Sequence, residues 1–149
     1  MTPYDMIKAH LSKAVPFANH TGVVIEELAA GTARATLALR PEVSNHIGTM
    51  HAGAVFTLAE AASGAAMAGA FADVLLELRP VAAEATIAFL KVSQGDLVAE
   101  ARIFGVPAEV RAEMDAAGKV SFPVEVTITD AAGVTVSKVM VAWHVSRKR

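Results

Sequence analysis

Between His51 and Asp73 only one side chain carries a charge, Glu60, and the stretch is dominated by Ala, Gly, Met, Phe and Leu. At helical spacing such a segment is apolar almost all round, and a helix of that kind is stable only when other elements cover it. An ionised carboxylate is costly to bury without partners. Glu60 is therefore either the wet edge of a packed helix or a working group at an interface.

The flanking segments supply the cover. Tyr4, Ile7, Leu11 and Ala14 recur at helical spacing, Thr2 is placed to cap, Pro3 suits a first turn, and Pro16 stops the run. Residues 23–28 read as a strand, Ala29-Ala30-Gly31 as a turn, and residues 32–40 alternate with Ala33, Ala35, Leu37 and Leu39 on one face. A polar loop over residues 41–50 leads into the small-residue helix, expected over residues 52–71. Residues 82–90 form the next strand, and Leu97, Ala99, Ala101 and Ile103 give another its inward face. Residues 107–117 read as a short helix with Pro at its start and Gly118 at its end. Val120, Phe122, Val124, Val126 and Ile128 keep strict period two, and a turn over residues 130–133 returns the chain into residues 134–145. In that last strand the apolar set slips by one near Ser137 and Lys138, which predicts a bulge. Runs of strands with segregated helices mean α+β. One domain over residues 1–149, a curved antiparallel six-stranded sheet around a long central helix, accounts for every segment.

Composition excludes several classes. A net charge of −2 gives no electrostatic case for nucleic-acid binding, and with no Cys there is no thiol nucleophile, disulfide or thiolate metal site. His10, His20, His46, His51 and His144 lack ligand spacing with nearby acids, so no metal is expected. Residues 52–72 are long enough to span a membrane, but the central Glu60, the weakly apolar Ala and Gly, and the lack of a close basic flank argue against it. Without the basic-then-apolar pattern of a signal peptide, a soluble cytoplasmic protein is expected.

The chemistry narrows to residues 45–53 and the helix they open. The first N–H groups of a helix lack internal acceptors and carry partial positive charge, so those near Ala52 and Gly53 can hold a polarised carbonyl oxygen. The same segment also reads simply as a Gly-rich loop entering a helix. Glu60 lies eight residues beyond Ala52, about 12 Å along one helix axis. Reacting groups must approach to ~3–3.5 Å. If both serve one reaction, they come from different subunits of a two-fold dimer. Thr57, Glu60 and Ser63 recur in steps of three, which reads as one polar stripe.

Asn45, five residues, His51-Ala52-Gly53, then an acid nine residues after the His: this pattern resembles the hotdog-fold acyl-CoA thioesterases, and most the phenylacetate-pathway and hydroxybenzoyl-CoA branch. Pro16-Phe17-Ala18, the run from Phe56 to Glu60 and Phe89-Leu90-Lys91 are similar to that family too, and the element order agrees over essentially the whole chain. The resemblance implies hydrolysis of an acyl-CoA thioester by a homodimer, with dimers pairing further into a tetramer as an option. In it the Ala52 amide polarises the carbonyl, His51 supports the turn, and Asn45 orients the carbonyl or a water. Glu60 of the partner chain acts as nucleophile or general base. Gly53, Ser63, Gly64, Thr86 and Lys91 are the expected substrate contacts. Coenzyme A enters as part of the substrate, with no other cofactor and no nucleic-acid or membrane partner.

Two positions depart from the family pattern. Its usual His-Gly-Gly reads His51-Ala52-Gly53, and the hydroxyl residue often found one turn after the acid is Gly64. The alternatives are a hotdog dehydratase or hydratase using His46 with Glu60, and a non-catalytic acyl-CoA binding protein.

Overall fold

The computed structural model covers residues 1–149. In chain order it contains α1 (Pro3–Ala14), α2 (Pro16–Thr21), β1 (Val24–Ala29), β2 (Thr32–Leu37), α3 (Ala52–Ala70), β3 (Leu78–Phe89), β4 (Leu97–Ile103), α4 (Pro107–Ala117), β5 (Lys119–Thr129) and β6 (Thr135–Arg147). The six strands form one sheet in the order β1-β2-β4-β5-β6-β3, antiparallel throughout. Five of them, all but β3, pack on α3. This is the hotdog fold, a curved sheet closed around a central helix. No helix is long and apolar enough to cross a membrane.

Period two explains the sheet's inner face. Val120, Phe122, Val124, Val126 and Ile128 are buried on β5, facing Val139, Val141, Trp143 and Val145 of β6 across the same layer. Small side chains explain how the helix fits. Ala59, Ala62, Ala65, Ala66 and Ala68 are fully buried, so the α3 backbone lies close to the strands. The closest approach is at Gly69, where an added Cβ would sit 1.9 Å from the Ala29 carbonyl oxygen. Phe71 then closes the helix inside the core, its ring centroid 6.1 Å from that of Phe122.

Several boundaries differ from the sequence expectation. Pro16 ends α1 but also opens α2, because proline's fixed φ and missing N–H suit a first helical position. Strand β2 stops at Leu37 rather than residue 40, since Arg40 turns back to cap α2: its Nη2 donates to the His20 carbonyl at 2.9 Å and its Nη1 to that of Thr21. The β6 bulge lies just before the expected place. Ile128 pairs with Ser137 and Thr129 with Thr135, leaving Val136 as the extra residue.

Strand β3 starts at Leu78, four residues before expectation, and is an edge strand. Its residues 81–86 are all exposed. Edge position also explains how Pro80 sits within the strand without breaking a ladder.

Substituting Gly69→Ala should destabilise the fold by about 2–3 kcal/mol despite alanine's better helix propensity, because the clash is with a backbone oxygen that cannot rotate away. Chemical denaturation of the two proteins measures this directly, and a neutral or stabilising result would refute the close contact.

Candidate active site

The loop before α3 is held by its own polar groups. Asn45 Oδ1 accepts from the Ile47 and Thr49 N–H groups, both at 3.0 Å, while its Nδ2 donates to Thr49 Oγ1 at 2.7 Å and to the Met50 carbonyl at 3.4 Å. All four hydrogen-bonding positions of the amide are thus spent within the loop. His51 is the N-cap of α3, and its Nδ1 accepts from the Gly53 N–H at 2.8 Å. A Cβ at position 53 would stand 3.1 Å from the same ring nitrogen, so a larger residue there would press on the His51 ring. With Gly53 engaged and Val55 bonded to the His51 carbonyl, the Ala52 and Ala54 N–H groups keep no acceptor in the chain, and only Ala52 is exposed.

Farther along α3 a half-open face runs through Phe56, Thr57, Glu60, Ala61 and Gly64. Ser63 is not on it, so Thr57, Glu60 and Ser63 do not form the single polar stripe expected from their spacing. Steps of three fall short of the 3.6-residue turn, so from Thr57 through Glu60 they carry position 63 round to the sheet side. There Ser63 is fully buried, its hydroxyl donating to the Glu60 carbonyl at 2.7 Å and accepting from Trp143 Nε1 at 2.9 Å. That leaves it no proton for the Glu60 carboxylate. Gly64 does share the face, and a Cβ there would meet the Trp143 indole at 3.2 Å, so the aromatic ring occupies the space a hydroxyl side chain would need.

Glu60 itself has neither cation nor hydrogen-bond donor, and burial pushes its pKa above the ordinary glutamate value. Such a group is an effective proton acceptor nearer neutral pH than a solvated glutamate.

Within one protomer the expected site residues divide among separate cavities. Glu60 and Gly64 line one of about 220 Å³, with Trp143, Met67, Pro80 and residues of α1 and α2. Asn45, Ala52 and Lys91 line a second of about 370 Å³, with Phe89 and Leu90. His51 and Gly53 open onto a third of about 430 Å³ beside Thr57, His20 and Arg40. Thr86 is exposed on β3, and His46 is exposed on the loop. A groove carrying Arg79, Lys119, Arg147, Lys148 and Arg149, with no acidic residue in its lining, shares Pro80 with the Glu60 cavity. No group of three His, Cys, Asp or Glu side chains converges in the fold.

Trp143 carries no functional signal in the local sequence pattern. Its contact with Ser63 joins residues 80 positions apart, which local patterning does not encode. The pairing of the chain's one Trp with a Gly on the helix is the only trace it leaves in the sequence.

The chain belongs to the family described as "Domain of unknown function (DUF4442)", whose sequence profile matches residues 4–145. No curated protein matches it. Among solved structures, a Pseudomonas aeruginosa protein of unknown function described as a probable thioesterase is 26% identical, with a TM-score of 0.83 over 99% of this chain and 97% of that one. A thioesterase family protein from Silicibacter pomeroyi is 17% identical, with a TM-score of 0.77 over 97% and 99%. A hypothetical thioesterase from Streptococcus pneumoniae, solved with coenzyme A, is 22% identical, with a TM-score of 0.71 over 93% and 98%. The last two share the fold.

The unpartnered carboxylate makes a stability prediction. With the folded-state pKa raised, the folded protein holds a proton that the unfolded chain releases, so stability falls as pH climbs above the unfolded value. Glu60→Gln should therefore raise Tm at pH 8 and leave it nearly unchanged at pH 4, where both states are protonated. Equal shifts at the two pH values would mean that Glu60 is solvated.

Proposed function

We propose that this DUF4442 family member hydrolyses acyl-CoA thioesters at two equivalent sites, each shared across a two-fold dimer formed through β3. The observation that carries this reading is the place of the two half-sites along that strand. Pro80, near its start, lines the Glu60 cavity, while Phe89, at its end, lines the Ala52 cavity. Nine residues of extended chain separate them, about 30 Å. Antiparallel pairing of two β3 edges, centred near Glu84 and Ala85, sets Pro80 of one protomer beside Phe89 of its partner. The carboxylate of one chain then faces the helix start of the other. A twelve-residue, largely exposed edge strand ending in Phe89 and followed by Leu90, each more than half exposed, is a surface that soluble proteins normally cover.

The chemistry follows from the two groups. The free Ala52 N–H, at the positive end of α3, donates to the thioester oxygen and gains strength as that oxygen becomes an oxyanion. Glu60 from the other chain either takes a proton from water, whose oxygen attacks the carbonyl carbon, or attacks that carbon itself to form an anhydride that water then cleaves. In both routes the C–S bond breaks, the thiolate leaves and takes up a proton, and free acid and coenzyme A result. Asn45 acts as a positioning residue, because its amide is spent on shaping the turn that presents Ala52, and His51 contributes to the same turn through Nδ1, which accepts from the Gly53 N–H. Lys91, beside Ala52, and the basic groove next to Pro80 supply cations for the coenzyme A phosphates. The Streptococcus pneumoniae neighbour solved with coenzyme A supports this choice of thiol.

Two tests address the halves of the proposal. Glu60→Gln should lower kcat by ~10²–10⁴-fold. The wild-type kcat/KM profile should show an acid limb above the ordinary glutamate range, as burial of Glu60 requires. Acyl-CoA binding without thiol release, across aryl and alkyl substrates, would overturn the hydrolase reading.

Ala85→Glu should bring like charges together across the two-fold, opposite Glu84 of the partner. Sedimentation should then show monomers, with activity lost in step. A monomeric variant with full activity would refute the shared site.

A further inference from the structure

We infer that Ser63 and Trp143 are positioning residues for Glu60: the Ser63 hydroxyl fixes the helix turn that carries the carboxylate, and the Trp143 ring, filling the space beside Gly64, shields that carboxylate from water. This rests on the hydrolase reading and adds to it two residues that act only through Glu60. They form a hydrogen-bond chain whose direction chemistry sets. An indole N–H can only donate, so Trp143 Nε1, 2.9 Å from Ser63 Oγ, makes that hydroxyl an acceptor. The hydroxyl's single proton then goes to the carbonyl of Glu60 itself, at 2.7 Å. A helical serine often bonds back to a carbonyl one turn earlier. Here the bond from β6 holds it in that arrangement, and the backbone of residue 60 is tied to the sheet through it.

The ring supplies the second half. Positions four apart on a helix are neighbours, so the side chain next to Glu60 on the open face would be that of residue 64. That residue is glycine, and the indole takes the place: an added Cβ would stand 3.2 Å from Cζ2 and 3.4 Å from Cη2. Trp143, Gly64, Ala61 and Glu60 line one cavity. Glu60 is the one titratable or charged side chain in that lining; α1, α2, β1, β3 and β6 bring none to it. Burial alone raises its pKa, with no donor or cation to offset the lost hydration. Trp143 is the largest apolar side chain of the lining and is itself buried, so much of that burial is its work. Ser63 is fully buried and lines none of the three cavities. A change at Ser63 therefore reaches the chemistry only through Glu60 or the ring.

The test compares Ser63→Ala, Trp143→Phe, Trp143→Leu and the double variant Ser63→Ala/Trp143→Phe with wild type. Each is measured for Tm, for kcat and KM with benzoyl-CoA and octanoyl-CoA, and for the titration of Glu60 by carboxyl-carbon NMR, the signal assigned by its loss in Glu60→Gln. Ser63→Ala should lower Tm, because it orphans the buried indole N–H, and should lower kcat by ~10–100-fold with KM little changed. In the double variant both partners of the bond are gone, so Tm should largely recover while kcat stays low. Trp143→Leu should move the acid limb of kcat/KM and the Glu60 titration down toward the ordinary glutamate range. Trp143→Phe, which keeps a smaller ring, should move them less.

A kcat that recovers together with Tm in the double variant would make the pair ordinary core packing and overturn the inference. So would a Glu60 titration that both Trp143 variants leave in place. If no form hydrolyses either thioester while the titration still follows Trp143, the hydrolase reading falls and the seating of Glu60 stands.

Discussion

Everything in this molecule depends on how closely α3 can lie against the sheet. A helix studded with Leu or Phe would stand off from the strands; one built from Ala lets five strands close over it. At Gly69 the helix backbone meets the β1–β2 turn with no room for even a methyl group. That tight fit uses up the helix's apolar faces and leaves one face half open, from Phe56 to Gly64. Glu60 stands on that face, where a carboxylate in the middle of α3 retains some contact with water.

The same packing separates the groups that chemistry would unite. The free amide at the start of α3 and the carboxylate in its middle are directed to different cavities, at opposite ends of β3. A rigid helix cannot bring them together, and an exposed edge strand offers a symmetric way to do so. Trp143 adds a second consequence of close packing. Its indole lies under Gly64 and is tied to Ser63, so the Ser63 hydroxyl serves the core.

Much of the fold was legible in residue order. Strict alternation on β5 and the capped, proline-led helices left little choice of element, and the slip of the apolar set on β6 located its bulge to within a residue or two. The misses share a cause. Helix α2 follows a proline that reads equally as a stop or a start, and the end of β2 is set by Arg40 reaching back to distant carbonyls. Ser63 looked like part of one stripe with Thr57 and Glu60 because steps of three approximate a helical repeat; over two steps a lag of about 120° carries it round to the sheet side.

The amino-acid order alone determined that a nearly apolar, small-sided helix had to be wrapped, and that Glu60 was its single charge, because hydrophobic periodicity and the cost of burying charge act locally along the chain. Only the tertiary structure decided which side of the helix stays open. It also set Trp143 under Gly64 and made β3 the exposed edge. Those outcomes depend on contacts between residues far apart in sequence, and no local spacing rule contains them.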